Sequence, residues 1–182
     1  MKRRMAIRAM LLARMVYLGL IIYALASNRI GSAIFSGVVF LGALLLVRLA
    51  RTEREPDYYM LDASVSLLFS GGLIISFLDL WMITNPYYGF DKLFHIAAGA
   101  ILGWFAAVWL RRRVTDAWAY RAAIVLFALA VGGAWEVYEW FFTVLPPPLY
   151  APTLGYADTM MDMVADTLGG ALLALLFWRR KK

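Results

Sequence analysis

Long apolar runs separated by short polar interruptions dominate this chain, and the runs fall at roughly 9–27, 31–48, 59–83, 92–110, 117–144 and 157–178. About 20 apolar residues are enough to carry a helix across the hydrocarbon core of a bilayer. The pattern therefore predicts an all-α, polytopic bundle of about six transmembrane helices. The separators, 27–29, 51–57, 84–91, 111–116 and the proline-rich 145–156, are short enough to join antiparallel neighbours. Arg14 interrupts the first run, no small-residue cleavage site follows it, and a second run comes within a few residues. It is therefore expected to be a retained helix rather than a removable signal. Neither an internal repeat nor a soluble segment stands out, so residues 1–182 are expected to form a single membrane domain.

Composition agrees with lipid as the main solvent. Of 182 residues, 63% are hydrophobic and only 16% charged, and the mean hydropathy is +0.71. The absence of cysteine excludes disulfides, thiolate metal sites and cysteine nucleophiles. A net charge of +6 would point to nucleic acid in a soluble protein, but here the bases cluster at the ends of apolar runs, so no nucleic-acid partner is expected.

Their distribution sets the orientation. With six spans, 16 of the 18 lysines and arginines fall on one side, leaving Arg29 and Lys92 on the other. Cytoplasmic loops carry the excess of Lys and Arg, so both termini are expected in the cytoplasm. Trp81, Tyr87, Tyr88, Trp140, Tyr150 and Tyr156 then lie near the outer interface, where amphipathic rings are favoured. Five acids accompany the cytoplasmic bases, for a net +11, and the other seven leave the outer half at −5.

Those seven carry the candidate chemistry. Asp91 and His95, the only histidine, are four apart at the start of the fourth run; Glu136 and Glu139 are three apart near the outer end of the fifth; Asp158, Asp162 and Asp166 are spaced by four entering the sixth. Helical geometry puts each set on one face. Gly99 and Gly103, Gly132, and Gly170 continue these faces inward, and small residues let membrane helices approach closely. The acids are thus expected to converge on one pocket. Asp79, with Gly72 and Ser76 on its face, stands where it could join them. Asp62 is expected to reach back to the cytoplasm, and Lys92 to pair with acids at the outer interface.

Ionised groups within a membrane are costly, and several carboxylates a few ångströms apart cannot all ionise without a positive partner. Either some hold protons or a cation joins them. Oxygen-rich ligation with one imidazole suits Mg²⁺, Mn²⁺, Ca²⁺ or Zn²⁺. The candidate ligands are Asp91, His95, Glu136, Glu139, Asp158, Asp162 and Asp166, with Glu139 or His95 as a candidate catalytic base.

At these residues the chain resembles a known group. The segments FDKLFH at 90–95 with Gly99, WEVYEW at 135–140, and DTMMDM at 158–163 with GGA at 169–171 resemble the YjdF-like (DUF2238) family of small bacterial inner-membrane proteins. More distantly they are similar to VanZ-like proteins, which pair a D-K-x-x-H helix with a later acidic helix ending in glycine. The resemblance covers residues 90–172 and leaves helices 1–3 as scaffold. It matches Asp91, His95, Glu136, Glu139, Asp158 and Asp162, and departs at Gly155-Tyr156, where a polar residue often precedes Asp158, and at Asp166, where a neutral residue is expected. It implies a multi-pass protein of the bacterial inner membrane, with no assigned reaction and a hint of envelope lipids or glycans.

Three functions follow as expectations: a metal-dependent enzyme acting on a lipid-linked or envelope substrate, a proton- or cation-coupled transporter, and a non-catalytic accessory protein with a structural metal. Six helices are few for a transporter, and a homodimer would supply what one copy lacks. Membrane lipids are the partner all three share.

Overall fold

A computed structural model describes residues 2–27, scattered positions between 33 and 48, and residues 55–77, 89–144 and 155–177. The helices are α1 (Lys2–Ala26), a stretch α2 within 33–48, α3 (Glu55–Phe77), α4 (Phe90–Leu110), α5 (Ala117–Val144) and α6 (Tyr156–Leu176). No strand occurs among the described residues. Four helical stretches, Arg3–Ala26, Asp91–Leu110, Ala117–Phe141 and Tyr156–Leu176, are long and apolar enough to cross a membrane, and a shorter apolar stretch is Tyr58–Ile74. Half of the second apolar run, together with Asp79 and the 145–154 proline loop, lies outside the described residues.

The chain divides into two compact units, Met1–Asp79 and Leu80–Lys182. In the first, α1 packs along α3. Helix α1 begins before its apolar run, and Ala6 on those early turns is buried; further along, Met10 and Ala13 are buried against Ala63, with Tyr59 beside them. One helical turn further, the Arg14 guanidinium makes a two-pronged ion pair with Asp62, Nε donating to Oδ1 at 3.0 Å and Nη2 to Oδ2. Asp62 is fully buried, so it does not reach the cytoplasm as expected from sequence. A carboxylate within an apolar helix pair is held best by the forked donor it finds there.

The same face of α3 continues with Ser66 and Ser70, both buried, whose hydroxyls donate to the carbonyls of Asp62 and Ser66 at 2.9 and 2.8 Å. These serines satisfy themselves within their own helix and let the neighbouring backbone come near. Tyr17 bonds Ser36 at 2.9 Å and lies against the rings of Phe40 and Phe69.

In the second unit α4, α5 and α6 pack on one another, α4 with α6 most extensively. Two glycines set that contact. The α carbon of Gly99 faces the Asp166 backbone, and that of Gly169 faces the backbone of Ile96 and Ala100, so closely that a Cβ at either position would overlap main-chain atoms. Gly170 is packed on Ala128 of α5, where an added Cβ would lie 2.7 Å from the alanine methyl. Towards the 111–116 turn the core is filled by Ala106, Ala107, Ile124 and Ala174, with Phe105 stacked on Phe127 at 5.2 Å. Asp116 caps α5, its Oδ1 accepting from the Ala119 N–H at 2.7 Å. Leu168, Leu172, Leu175 and Leu176 of α6 and Leu126 and Val137 of α5 stay exposed, as suits helices whose outer faces meet lipid.

Candidate functional site

Helix α6 starts at Gly155, whose φ of 93° is the left-handed conformation a side chain disfavours. From that fixed start its 3.6-residue period turns Asp158, Asp162, Ala165, Asp166, Gly169 and Gly170 to the buried face. The small residues on this stripe bring α4 against the acids, and α4 offers Lys92, His95 and Gly99 in return, all buried.

Lys92 is the centre of the arrangement. Its ammonium donates to Asp158 Oδ1 at 2.5 Å, Asp162 Oδ1 at 2.6 Å and Asp91 Oδ2 at 2.9 Å. An ammonium has three N–H groups, and each meets a carboxylate. Sequence reasoning left Lys92 as an interfacial base, whereas it is only 7% exposed. The signal was there in its spacing: Lys92, His95 and Gly99 follow one another at three and four residues and so share a face.

His95 lies one turn deeper. Its Nδ1 donates to Asp166 Oδ2 at 3.1 Å, while Nε2 faces Asp162 Oδ1 at 3.6 Å and Asp91 Oδ1 at 3.9 Å. One ligand atom each from Asp91, His95 and Asp162 lies within 4.8 Å of the others. Ligands on the corners of a tetrahedron with bonds of about 2.1 Å stand about 3.4 Å apart, so these separations fit a common small cation. Asp166 takes the place of the carboxylate that orients a metal-bound imidazole through its other nitrogen.

Glu136 enters from α5. It is 6% exposed, its Oε1 has no hydrogen-bond partner among the described residues, Thr159 stands beside its carboxylate, and His95, Asp158 and Asp166 lie within electrostatic range. A buried carboxylate oxygen with no partner is costly unless something else completes it. One turn along α5, the α carbon of Gly132 abuts the Asp166 carboxylate. Glu139 is half-buried and is not a member of the close group of Asp91, His95 and Asp162. Asp158 joins that group through Lys92, and Asp166 through His95.

A family model described as "Predicted membrane protein (DUF2238)" matches residues 5–182. The chain belongs to this family. The match takes in the DUF2238 protein's first three helices as well as the acidic region, although those helices show no motif of their own. No curated protein and no solved structure matches the DUF2238 chain.

Proposed function

We propose that this DUF2238 protein is a multi-pass bacterial inner-membrane protein, with six spans and cytoplasmic termini, that binds a divalent cation on Asp91, His95 and Asp162 in its outer half. The single observation that carries this reading is the histidine. With Nδ1 engaged by Asp166, Nε2 is turned on two carboxylate oxygens at 3.6 and 3.9 Å. A lone pair facing two anions is repelled unless positive charge lies between them, and a cation there turns the repulsion into ligation. The charge count points the same way. Asp91, Asp158, Asp162, Asp166 and Glu136 share one neighbourhood with a single lysine, and a divalent ion removes half of the excess.

Such an ion activates water or polarises a phosphoryl or carbonyl oxygen. Facing the outer leaflet, the site suits a lipid-linked or envelope substrate, in keeping with the YjdF-like and more distant VanZ-like resemblance. His95 serves this chemistry better as a ligand than as a base, since both ring nitrogens are engaged. Glu136, with its free oxygen, suits the base. Mg²⁺, Mn²⁺, Ca²⁺ and Zn²⁺ all take this donor set, and imidazole ligation favours the transition ions among them.

One observation favours a second reading, a proton relay of a coupled transporter. Lys92, Asp162, His95 and Asp166 form an unbroken series of ionisable groups, and with a proton on Nε2 the same contacts are ion pairs. Elemental analysis of protein purified without chelators separates the two. The metal reading expects about one divalent ion per chain, lost in His95→Ala and in Asp162→Ala. A metal-free wild type that stays metal-free after incubation with each of the four ions overturns it in favour of the relay.

A further inference from the structure

The end of the second unit away from the acidic group holds a cavity of about 350 Å³ between α5 and α6, lined by Trp118, Arg121, Ala122, Ala171, Ala174 and Leu175 among others. At about 1.5 Å per residue these α6 positions lie roughly 14–20 Å along the helix from Asp162. Three of its wall residues are alanines, Ala122, Ala171 and Ala174, whose short side chains leave the space open.

The hollow itself is almost wholly apolar, and the one charged residue lining it is Arg121, whose guanidinium lies over the Trp118 ring, 5.2 Å from the centroid. The preceding turn adds Arg111, Arg112 and Arg113 against one acid, Asp116. Taking each methylene as near the ~30 Å³ share of a water molecule, the cavity has room for about a dozen. Alanine walls for a chain, an interfacial indole and an arginine for a headgroup are the parts of a lipid site.

We propose that this groove binds one anionic phospholipid, its phosphate on Arg121 and part of an acyl chain between α5 and α6. The charge selects the occupant: a zwitterionic lipid fills the same apolar space but brings a cationic group towards a cluster of arginines. The inference is independent of the metal reading, since it uses the other end of the unit.

Native mass spectrometry of the full chain released from nonionic detergent, titrated with phosphatidylglycerol or phosphatidylethanolamine, tests it. The wild type retains one phosphatidylglycerol in preference to phosphatidylethanolamine. Arg121→Gln weakens that preference about fivefold, the effect of one cation near an anionic surface. Ala122→Trp, at an exposed position, fills the hollow without touching the core and reduces retention of both lipids. Unchanged melting temperature in both variants shows that the fold survives. Equal retention of the two lipids by the wild type overturns the proposal, as does a preference that survives Arg121→Gln. A preference that survives Ala122→Trp places the headgroup on Arg121 outside the groove and overturns the assignment to the groove.

Discussion

Substituting alanine for Gly99 tests how the site is built, because the close approach of α4 and α6 both packs the unit and brings His95 to Asp166. An added Cβ would overlap the Asp166 carbonyl oxygen and lie 2.7 Å from the carbonyl carbon and 2.8 Å from the Cα, where ordinary contacts begin at 3.4 Å. All of these atoms are main chain, so no side chain can swing aside and the helices must part by at least about 0.7 Å. That shift takes the 3.1 Å His95–Asp166 bond to about 3.8 Å, beyond hydrogen-bonding range. Overpacking costs about 1–3 kcal/mol and a lost charge-assisted bond about 1.5–3. Allowing for relaxation, Gly99→Ala should destabilise the unit by about 3 kcal/mol.

Two neighbours calibrate the effect. At Gly103 the Cβ would meet the Ile124 methyl, the Gly170 Cα and a Leu173 methyl at 3.2–3.3 Å, and Gly103→Ala should cost under about 1 kcal/mol. At Gly132 it would meet the Asp166 carboxylate, with Cγ at 2.8 Å. Gly132→Ala therefore displaces the acid from His95 without parting α4 from α6. Equilibrium unfolding in mixed micelles of sodium dodecyl sulfate and a maltoside detergent, followed by tryptophan fluorescence, gives the order. The predicted ranking of loss is Gly99, then Gly132, then Gly103. A Gly99→Ala protein as stable as Gly103→Ala would refute the backbone-contact account.

Other outcomes follow from the same geometry. Arg14→Met strands the buried Asp62 carboxylate and should cost about 3 kcal/mol, whereas Arg14→Met with Asp62→Leu regains most of it, read by the same unfolding assay. Lys92→Met leaves Asp91, Asp158 and Asp162 without their ammonium; the variant should melt lower than wild type and gain more from added divalent cation, by differential scanning fluorimetry. Protons compete with a metal for His95 Nε2 and for the carboxylates, so ion content after dialysis should fall as pH is lowered from 7.5 to 5 and return on neutralisation with added ion. Because the native chain has no cysteine, single cysteines at Arg113 and at the exposed Tyr156 should be labelled by impermeant maleimide from the cytoplasmic and outer faces respectively; labelling of both from one face contradicts the six-span orientation.

Much of this was legible in the apolar runs and the acid spacing. The runs at 92–110, 117–144 and 157–178 anticipate α4, α5 and α6 within two residues at each end, because continuous apolar sequence and a minimum crossing length leave little freedom. The extra turns of α1 and α3 were not legible, since a helix continues through polar residues wherever packing supports it, as the buried Ala6 does among the bases that open α1. The helical spacing of Asp158, Asp162 and Asp166 gave their shared face, and the glycines gave the helices that face meets.

What spacing could not give was pairing. Nothing local to Asp62 marks Arg14, 48 residues away, as its partner. Lys92 was expected to pair with acids in interfacial water, where a lysine at a helix start usually lies; it does pair with acids, but buried among three carboxylates, two of them 66 and 70 residues later. The division of labour at His95, with Nδ1 to Asp166 and Nε2 to Asp91 and Asp162, depends on ring orientation and is invisible in sequence.

The central claim is that the space between His95 Nε2, Asp91 Oδ1 and Asp162 Oδ1 is a cation position. Crystals of the protein grown with Mn²⁺ or Zn²⁺, with diffraction recorded on either side of the metal's absorption edge, examine it most directly. The account predicts an anomalous peak there at about 2.0–2.2 Å from all three ligand atoms, with Asp166 still on Nδ1 and Lys92 still among Asp91, Asp158 and Asp162. An anomalous map with no peak at that position, in crystals where those three side chains are well ordered, would contradict it.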